Sequence, residues 1–276
     1  MEDAIEAVKE AFIVHSEGSI KVPLRINIRS DKYNGNMLFM PAYCEKKDAA
    51  SLKIVSVYPD NKEKKLPSTP AQVLLIDPTT GIVLSIMDGT YITALRTGAA
   101  SGAAFSVLAK PECKTGALIG TGTQAAMQLE AMIVSKNPKL VKVYSRNKDR
   151  LNNFVKNMST KFKSKAVELV ACESADAAVK DADILITATN SDRPLFSVES
   201  CKPGLTISAV GSFTRQMQEL DTTVLKKASK IYYDDKEAML EEAGEIIKAL
   251  ENRDIDEKKF SGSLGEALSG KIKLRE

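Results

Sequence analysis

A glycine-rich turn and three cations set the chemical possibilities of this chain. Residues 114–132 read KTGALIGTGTQAAMQLEAM, a short apolar run that climbs into Gly120-Thr-Gly122 and is followed by a helix-forming stretch. Gly120-Thr-Gly122-Thr-Gln-Ala125 is a GxGxxA pattern. Its first glycine permits a tight turn, its second lets a pyrophosphate approach the backbone, and the small third residue lets helix pack on strand. The helix start adds free amides and a partial positive charge. These features point to dinucleotide binding; the alternative is an ordinary strand-to-helix turn. A pocket for NAD usually ends its second strand in Asp or Glu, which accepts hydrogen bonds from the ribose hydroxyls. Here that strand ends Val143-Tyr144-Ser145-Arg146-Asn147-Lys148. Ser145, Arg146 and Lys148 suit a 2′-phosphate, so NADPH is favoured over NADH; a solvated basic turn is the reading that needs no ligand.

The cations are Arg25, Lys53 and Arg96. Lys53 interrupts the strand-like SLKIVSV and shares a face with Ser51, Val55 and Val57. A lysine on a half-buried strand is costly unless paired or used, whereas an edge lysine facing water would discourage aggregation. Arg96 falls in a stretch of small residues where close packing leaves little room for an idle guanidinium, its alternative being a snorkelling side chain. Arg25, in KVPLRINI, is unremarkable alone. Two guanidiniums and an ammonium suit a carboxylate, although spacing does not show that they converge.

The elements that must position these groups fall into two patterns. From Met1 to about Lys110, one opening helix precedes the strand-like runs GNMLFMPAY, SLKIVSVYP, AQVLLID and GIVLSIMD. The last two flank Asp77-Pro-Thr-Thr-Gly81 and read as a hairpin in an antiparallel sheet. Residues 89–109, dense in Ala, Gly and Ser, read as a helix that other elements approach closely. Beyond Pro111 the runs TGALIG, VKVYS, VELVA, DILITAT, GLTISAVG and KIYYD mostly alternate with amphipathic stretches such as KDRLNNFVKNMSTKF. That alternation predicts an α/β fold with a doubly wound parallel sheet.

Composition narrows the partners. Lys plus Arg number 39 against 36 for Asp plus Glu, and the charges are scattered, an excess too small to argue for nucleic acid or a membrane surface. No apolar run approaches the ~18 residues of a membrane span, and the acidic opening is unlike a secretory signal. Cys44, Cys113, Cys172 and Cys201 lie far apart with no His-rich neighbour, which suits reduced thiols in the cytoplasm and no metal site. His15 reads as a surface residue and takes no acid or base role. The pairs Glu219/Asp221 and Glu241/Glu242 read as solvated groups at helix starts or on exposed helical faces, and the methionines as core filler.

FMPAY, LKIVSVYPDN, TGIVLSIMDGTYITALRTGAASG, LIGTGTQA, DILITATNS, ISAVGSFTRQMQELD and LGEALSGK, in this order, resemble the ornithine cyclodeaminase and mu-crystallin family over nearly the whole chain. The family's usual chain runs further at both ends, so a trimmed chain is expected. The resemblance implies a homodimer with a central Rossmann domain at 111–250. A substrate and dimerisation domain would be built from 1–110 and a return at 251–276. It implies that Arg25, Lys53 and Arg96 hold the carboxylate of a small amino or imino acid, with Lys53 nearest the reacting carbon and nitrogen. It matches Thr97 and the Gly120-Thr-Gly122-Thr123-Gln124 loop to cofactor contacts, together with Thr189, Asn190 and the Val210-Gly211-Ser212 turn.

Family members cyclise ornithine to proline with loss of ammonia, reduce cyclic ketimines, dehydrogenate alanine, or serve as cofactor-binding crystallins. Cyclodeaminases carry an Asp where this chain has Phe213 and a Glu just before Met-Pro, where it has Leu38 ahead of Met40-Pro41. Phenylalanine cannot act as the base that frees an attacking amine. The GSF turn before MQELD resembles the reductase branch, and the NADPH preference agrees. The expectation is an NADPH-dependent reductase of a small cyclic 2-imino acid. Ornithine cyclodeaminase, alanine dehydrogenase and a non-catalytic NADPH-binding protein are its rivals.

Overall fold

The structure, a computed structural model, describes residues 1–274; residues 275 and 276, the last of the expected 251–276 return, lie outside the described residues. The chain forms two compact units, residues 13–95 and residues 1–12 with 96–276. The division falls inside helix α1 (Glu2–Ser16) and inside helix α2 (Gly89–Leu108).

The unit of residues 13–95 is a six-stranded antiparallel sheet. Its strands are β1 (Ile20–Lys21), β2 (Ile26–Ser30), β3 (Gly35–Cys44), β4 (Ala49–Val57), β5 (Ala71–Ile76) and β6 (Val83–Asp88). The order is β1-β3-β4-β5-β6, with β2 also pairing β3. β1 covers only Tyr43 and Cys44 of β3, and β2 only Gly35 to Phe39. Pro41 sits in the gap between them, where a missing N–H costs the ladder nothing on that side. The expected hairpin joins β5 to β6. The Thr79 amide and the hydroxyls of Thr79 and Thr80 donate to the Asp77 carboxylate, and Gly81 takes φ 76°.

The other unit is built on a five-stranded parallel sheet of β7 (Thr115–Ile119), β8 (Leu140–Tyr144), β9 (Glu168–Ala171), β10 (Ile184–Thr187) and β11 (Thr206–Ala209), in the order β11-β10-β7-β8-β9. Helices α3 (Ala125–Lys136), α4 (Lys148–Lys161) and α5 (Ala175–Val179) connect the strands. Leu118, Ile184 and Ile186 pack with Leu129 and Met132 on one face, and Ile119 and Leu185 pack with Val179 and Leu225 on the other. Cover on both faces explains why these strands read as continuous apolar runs and not as alternating ones. In α4, Leu151, Phe154, Val155 and Met158 recur at helical spacing and all pack on this core. Its start is capped by the Asn147 side chain, which accepts from the Arg150 amide at 2.8 Å.

The chain continues through α6 (Thr222–Lys227), β12 (Ile231–Tyr233), α7 (Lys236–Glu242), α8 (Gly244–Glu251), β13 (Phe260–Ser263) and α9 (Leu264–Leu268). KIYYD does form a strand, β12, but it pairs in parallel with β13 in a separate two-stranded sheet instead of extending the large one. Just beyond β13, Leu268 packs with Ile5, Ala99 and Ala103, so the small-residue stretch of α2 meets α1 and the late part of the chain in one cluster. Among the described residues no helix is long and apolar enough to cross a membrane, and none of the four cysteines forms a disulfide.

Candidate functional site

The order β11-β10-β7-β8-β9 reverses direction between β7 and β10, which places a crevice at the carboxyl ends of those two strands. The glycine loop lies there. Gly120 has φ 109°, and a Cβ at this position would stand 2.4 Å from the Ala188 carbonyl at the end of β10. Only glycine meets both demands. A Cβ on Gly122 would meet nothing within 4 Å, so its backbone is open to an approaching group, whereas Ala125 at the start of α3 is fully buried. Between them the Gln124 Oε1 is buried with no hydrogen-bond partner among the described residues. An open backbone and a helix start fit the pyrophosphate region of a dinucleotide.

At the end of β8, Ser145, Arg146 and Lys148 line a cleft with Leu151, Asn152, Cys172 and Glu173. Lys148 Nζ lies 3.2 Å from Glu173 Oε2, with both side chains mostly in water, so the pair adds little stability. Glu173 is a carboxylate beside the basic cluster that the reading of the β8 end alone missed, because it arrives from the end of β9. Burial pushes the Cys172 thiol above its usual range.

The expectation for Glu219 is corrected. Instead of a solvated group at a helix start, Glu219 is fully buried. Its carboxylate accepts from Thr187 Oγ1 at 2.8 Å, from the Thr189 amide at 2.6 Å and hydroxyl at 2.7 Å, and from the Gly211 amide at 2.8 Å. Thr187 ends β10, and Gly211 follows β11, so one carboxylate ties together the two loops that carry Thr189, Asn190, Val210 and Ser212. Burial raises its carboxyl above the usual range against the pull of these four donors. Asp221 does stand at a helix start, capping α6 by accepting from the Thr223 amide. Nothing in QELD distinguishes the two acids; the only hint is the pair of hydroxyls in Thr187-Ala-Thr189, which a buried acceptor would recruit. Glu245 was also missed. It is 4% exposed on α8, burial raises its carboxyl, and the nearby Ser212 hydroxyl and Glu219 amide oppose that rise.

In the unit of residues 13–95, Lys53 pairs with Met40 on β3 and Val73 on β5. The expectation of an edge lysine therefore fails, because β4 is an interior strand. Arg25 precedes Ile26, which pairs with Phe39, so it stands beside the Met40–Lys53 row, about 10 Å from Lys53 by strand spacing. Leu38 pairs with Val55 one same-face step from Lys53 and is 9% exposed. Along this face Lys53 is surrounded by Leu38, Met40, Ala42, Ser51, Val55, Val73 and Leu75, with no carboxylate in the three rows. Arg96 and Thr97 lie on α2 in the other unit, Arg96 exposed and Thr97 half-buried. Thr123 and Asn190 are exposed, and the Ser212 Oγ is buried.

Known proteins share this arrangement over the whole chain. The structure superposes with TM-score 0.93 on the Δ1-pyrroline-2-carboxylate reductase of Thermococcus litoralis in complex with NADH and L-proline. The two are 40% identical over 100% of this chain and 84% of the other. An archaeal alanine dehydrogenase dimer with bound NAD superposes with TM-score 0.90 at 33% identity, over 100% and 82% of the two chains. A Δ1-pyrroline-2-carboxylate reductase of Bacillus cereus is 34% identical over 92% of this chain and 77% of its own. The model of the ornithine cyclodeaminase/mu-crystallin family matches residues 1–276. A glycine cradle at the strand-order reversal and a full-length family match agree, and the chain belongs to the ornithine cyclodeaminase/mu-crystallin family.

Proposed function

We propose that this protein is an NAD(P)H-dependent reductase of a small cyclic 2-imino acid such as Δ1-pyrroline-2-carboxylate. The observation that carries the choice within the family is the apolar face around Lys53. Releasing the side-chain amine of ornithine requires a base, and Leu38 and Phe213 occupy the positions where cyclodeaminases carry acids. A compact imine ring with no ammonium side chain suits Leu38, Met40, Val55 and Val73 better than ornithine does.

When bound, the reduced nicotinamide supplies the hydride that the C=N carbon accepts. Gly120, Gly122, Thr123 and Gln124 hold the pyrophosphate, and Thr97, Thr189, Asn190, Val210 and Ser212 hold the nicotinamide end. Arg25 and Arg96 bind the substrate carboxylate, and Lys53 keeps the proton at the imine nitrogen, which makes the carbon electrophilic. Holding both reactants in attack geometry supplies several kcal/mol of the acceleration. Ser145, Arg146 and Lys148 favour NADPH over NADH. Residues 1–110 and 251–276 form the substrate and dimer domain of a homodimer, and four cysteines that form no disulfide suit a cytoplasmic enzyme.

The test follows NADPH absorbance with Δ1-pyrroline-2-carboxylate, beside NAD with L-ornithine assayed for ammonia. Rapid NADPH loss without ornithine turnover is expected; proline and ammonia from ornithine would overturn the reading. The likeness to archaeal alanine dehydrogenase favours a second reading, reductive amination of a small 2-oxo acid, recognised by ammonia-dependent reduction of pyruvate.

A further inference from the structure

A buried carboxylate with no basic partner within hydrogen-bond reach among the described residues needs a reason. For stability alone, apolar side chains of similar volume would serve as well or better, because desolvating an anion costs several kcal/mol. What apolar groups cannot do is join two separate backbone segments through one atom group. Glu219 does this. Its Oε1 takes the amide and hydroxyl of Thr189, and its Oε2 takes the Gly211 amide and the Thr187 hydroxyl. Its own backbone is fixed to the same region, since the Leu195 amide donates to the Glu219 carbonyl and the Gln218 amide to the Ser191 carbonyl. Gly211 is packed so tightly that a Cβ would stand 2.3 Å from the Thr189 carbonyl and 2.5 Å from the Glu219 carboxyl. The β10–β11 ladder ends where the Val210 amide donates to the Thr187 carbonyl, and just past it one side chain ties the Thr189 and Gly211 backbone together. The glycine loop after β7 packs on Ala188 but has a hydrogen-bond anchor of its own, the Gly120 amide donating to the Tyr144 carbonyl.

We propose that Glu219 is a positioning residue for the nicotinamide half of the cofactor, acting through the Thr189 and Gly211 backbone and leaving the adenosine half untouched. This rests on the reductase reading for its turnover arm but not for its binding arm. The chain has no tryptophan, so NADPH fluorescence enhancement reads binding directly.

Two probes separate the halves of the site: NADPH, which spans both, and adenosine 2′,5′-bisphosphate, which reaches only the end of β8 and the glycine loop. Glu219→Gln keeps the shape but replaces one acceptor with an NH2 that must face an existing donor. Its affinity for adenosine 2′,5′-bisphosphate is expected to stay within about twofold. NADPH affinity should fall about tenfold or more, as for loss of a hydrogen bond to a charged group. With saturating NADPH, kcat should fall while KM for the imine holds, and the isotope effect with 4-deuterated NADPH should grow as hydride transfer becomes limiting. Thr187→Val removes one donor with little change in shape, gives a smaller shift in the same direction, and serves if Glu219→Gln does not fold. Equal loss of both probes, or a lowered melting temperature with kcat and NADPH affinity unchanged, would show a merely structural role and overturn the proposal. A wild-type protein that binds NADPH but reduces no imine would sink the reductase reading, and the ratio of the two affinities would still decide the role of Glu219.

Discussion

Single side chains carry the sharpest expectations. Lys53→Met should lower kcat by about a hundredfold or more, the usual worth of a positioned proton donor, with NADPH affinity within about twofold. Activity near wild type, measured by NADPH absorbance, would remove Lys53 from the chemistry. Arg146→Ser should raise KM for NADPH about tenfold and leave KM for NADH nearly unchanged, and equal effects on both would show that Arg146 does not meet the 2′-phosphate. Asp183 supports stability instead of catalysis. Its carboxylate accepts from the Lys114 amide at 2.8 Å and the Thr115 amide at 3.0 Å, and pairs with Lys202 at 2.6 Å. Burial opposes its ionisation, but Lys202 and the two amides outweigh that and hold the carboxyl below the usual range. A depressed folded-state value means stability present above the unfolded value, about 3.9, and lost as pH falls through the folded one. Asp183→Asn should cost about 1.5–3 kcal/mol at pH 7 and flatten the acid limb of a plot of melting temperature against pH; an unchanged limb would exclude this pairing.

At the level of elements, the chain was most legible where a pattern had one structural solution. The continuous apolar runs after Pro111 needed cover on both faces, and only a parallel sheet with helices on either side provides it. The short strand-like runs before Pro111 and the Asp77–Gly81 turn gave the antiparallel sheet. Two-residue β1 was illegible because so short a strand has no periodicity. KIYYD reads like the strands of the large sheet, and only its distant partner Phe260–Ser263 removes it from that sheet. Of the site, the glycine loop was legible because φ and close approach both demand glycine. Glu219 was not, because its meaning depends on donors up to 32 residues away in the chain. The loop itself makes a test of geometry: Gly120→Ala would place a Cβ against the Ala188 carbonyl in a backbone conformation that strains any L side chain. It should cost about 1–3 kcal/mol and abolish measurable NADPH fluorescence enhancement. Wild-type NADPH affinity in this variant would mean that the cofactor does not use the turn.

For the whole molecule, the sheet of residues 13–95 leaves the face opposite Lys53 uncovered. Ile26, Ile28, Leu84 and Ile86 are 59%, 49%, 61% and 68% exposed, a density of apolar side chains unusual on a protein that stays single. A second copy of the chain would cover it. Light scattering should give close to twice 30.0 kDa, and Ile86→Lys should move the mass toward that of one chain. A wild-type mass of one chain would leave that face to another partner.

The cluster that joins Ile5 to Ala99, Ala103 and Leu268 also orders events during synthesis. Residues 13–95 are continuous and hold all six strands of their sheet, so that unit has its full set of contacts soon after it leaves the ribosome. Helix α1, made before the rest of the cluster, must wait for Leu268, about 13–50 s at ordinary elongation rates. Until then Ile5 and the bare flank of α2 are open to chaperones, and slowing translation before residue 268 should lengthen that exposure without disturbing the strands already paired.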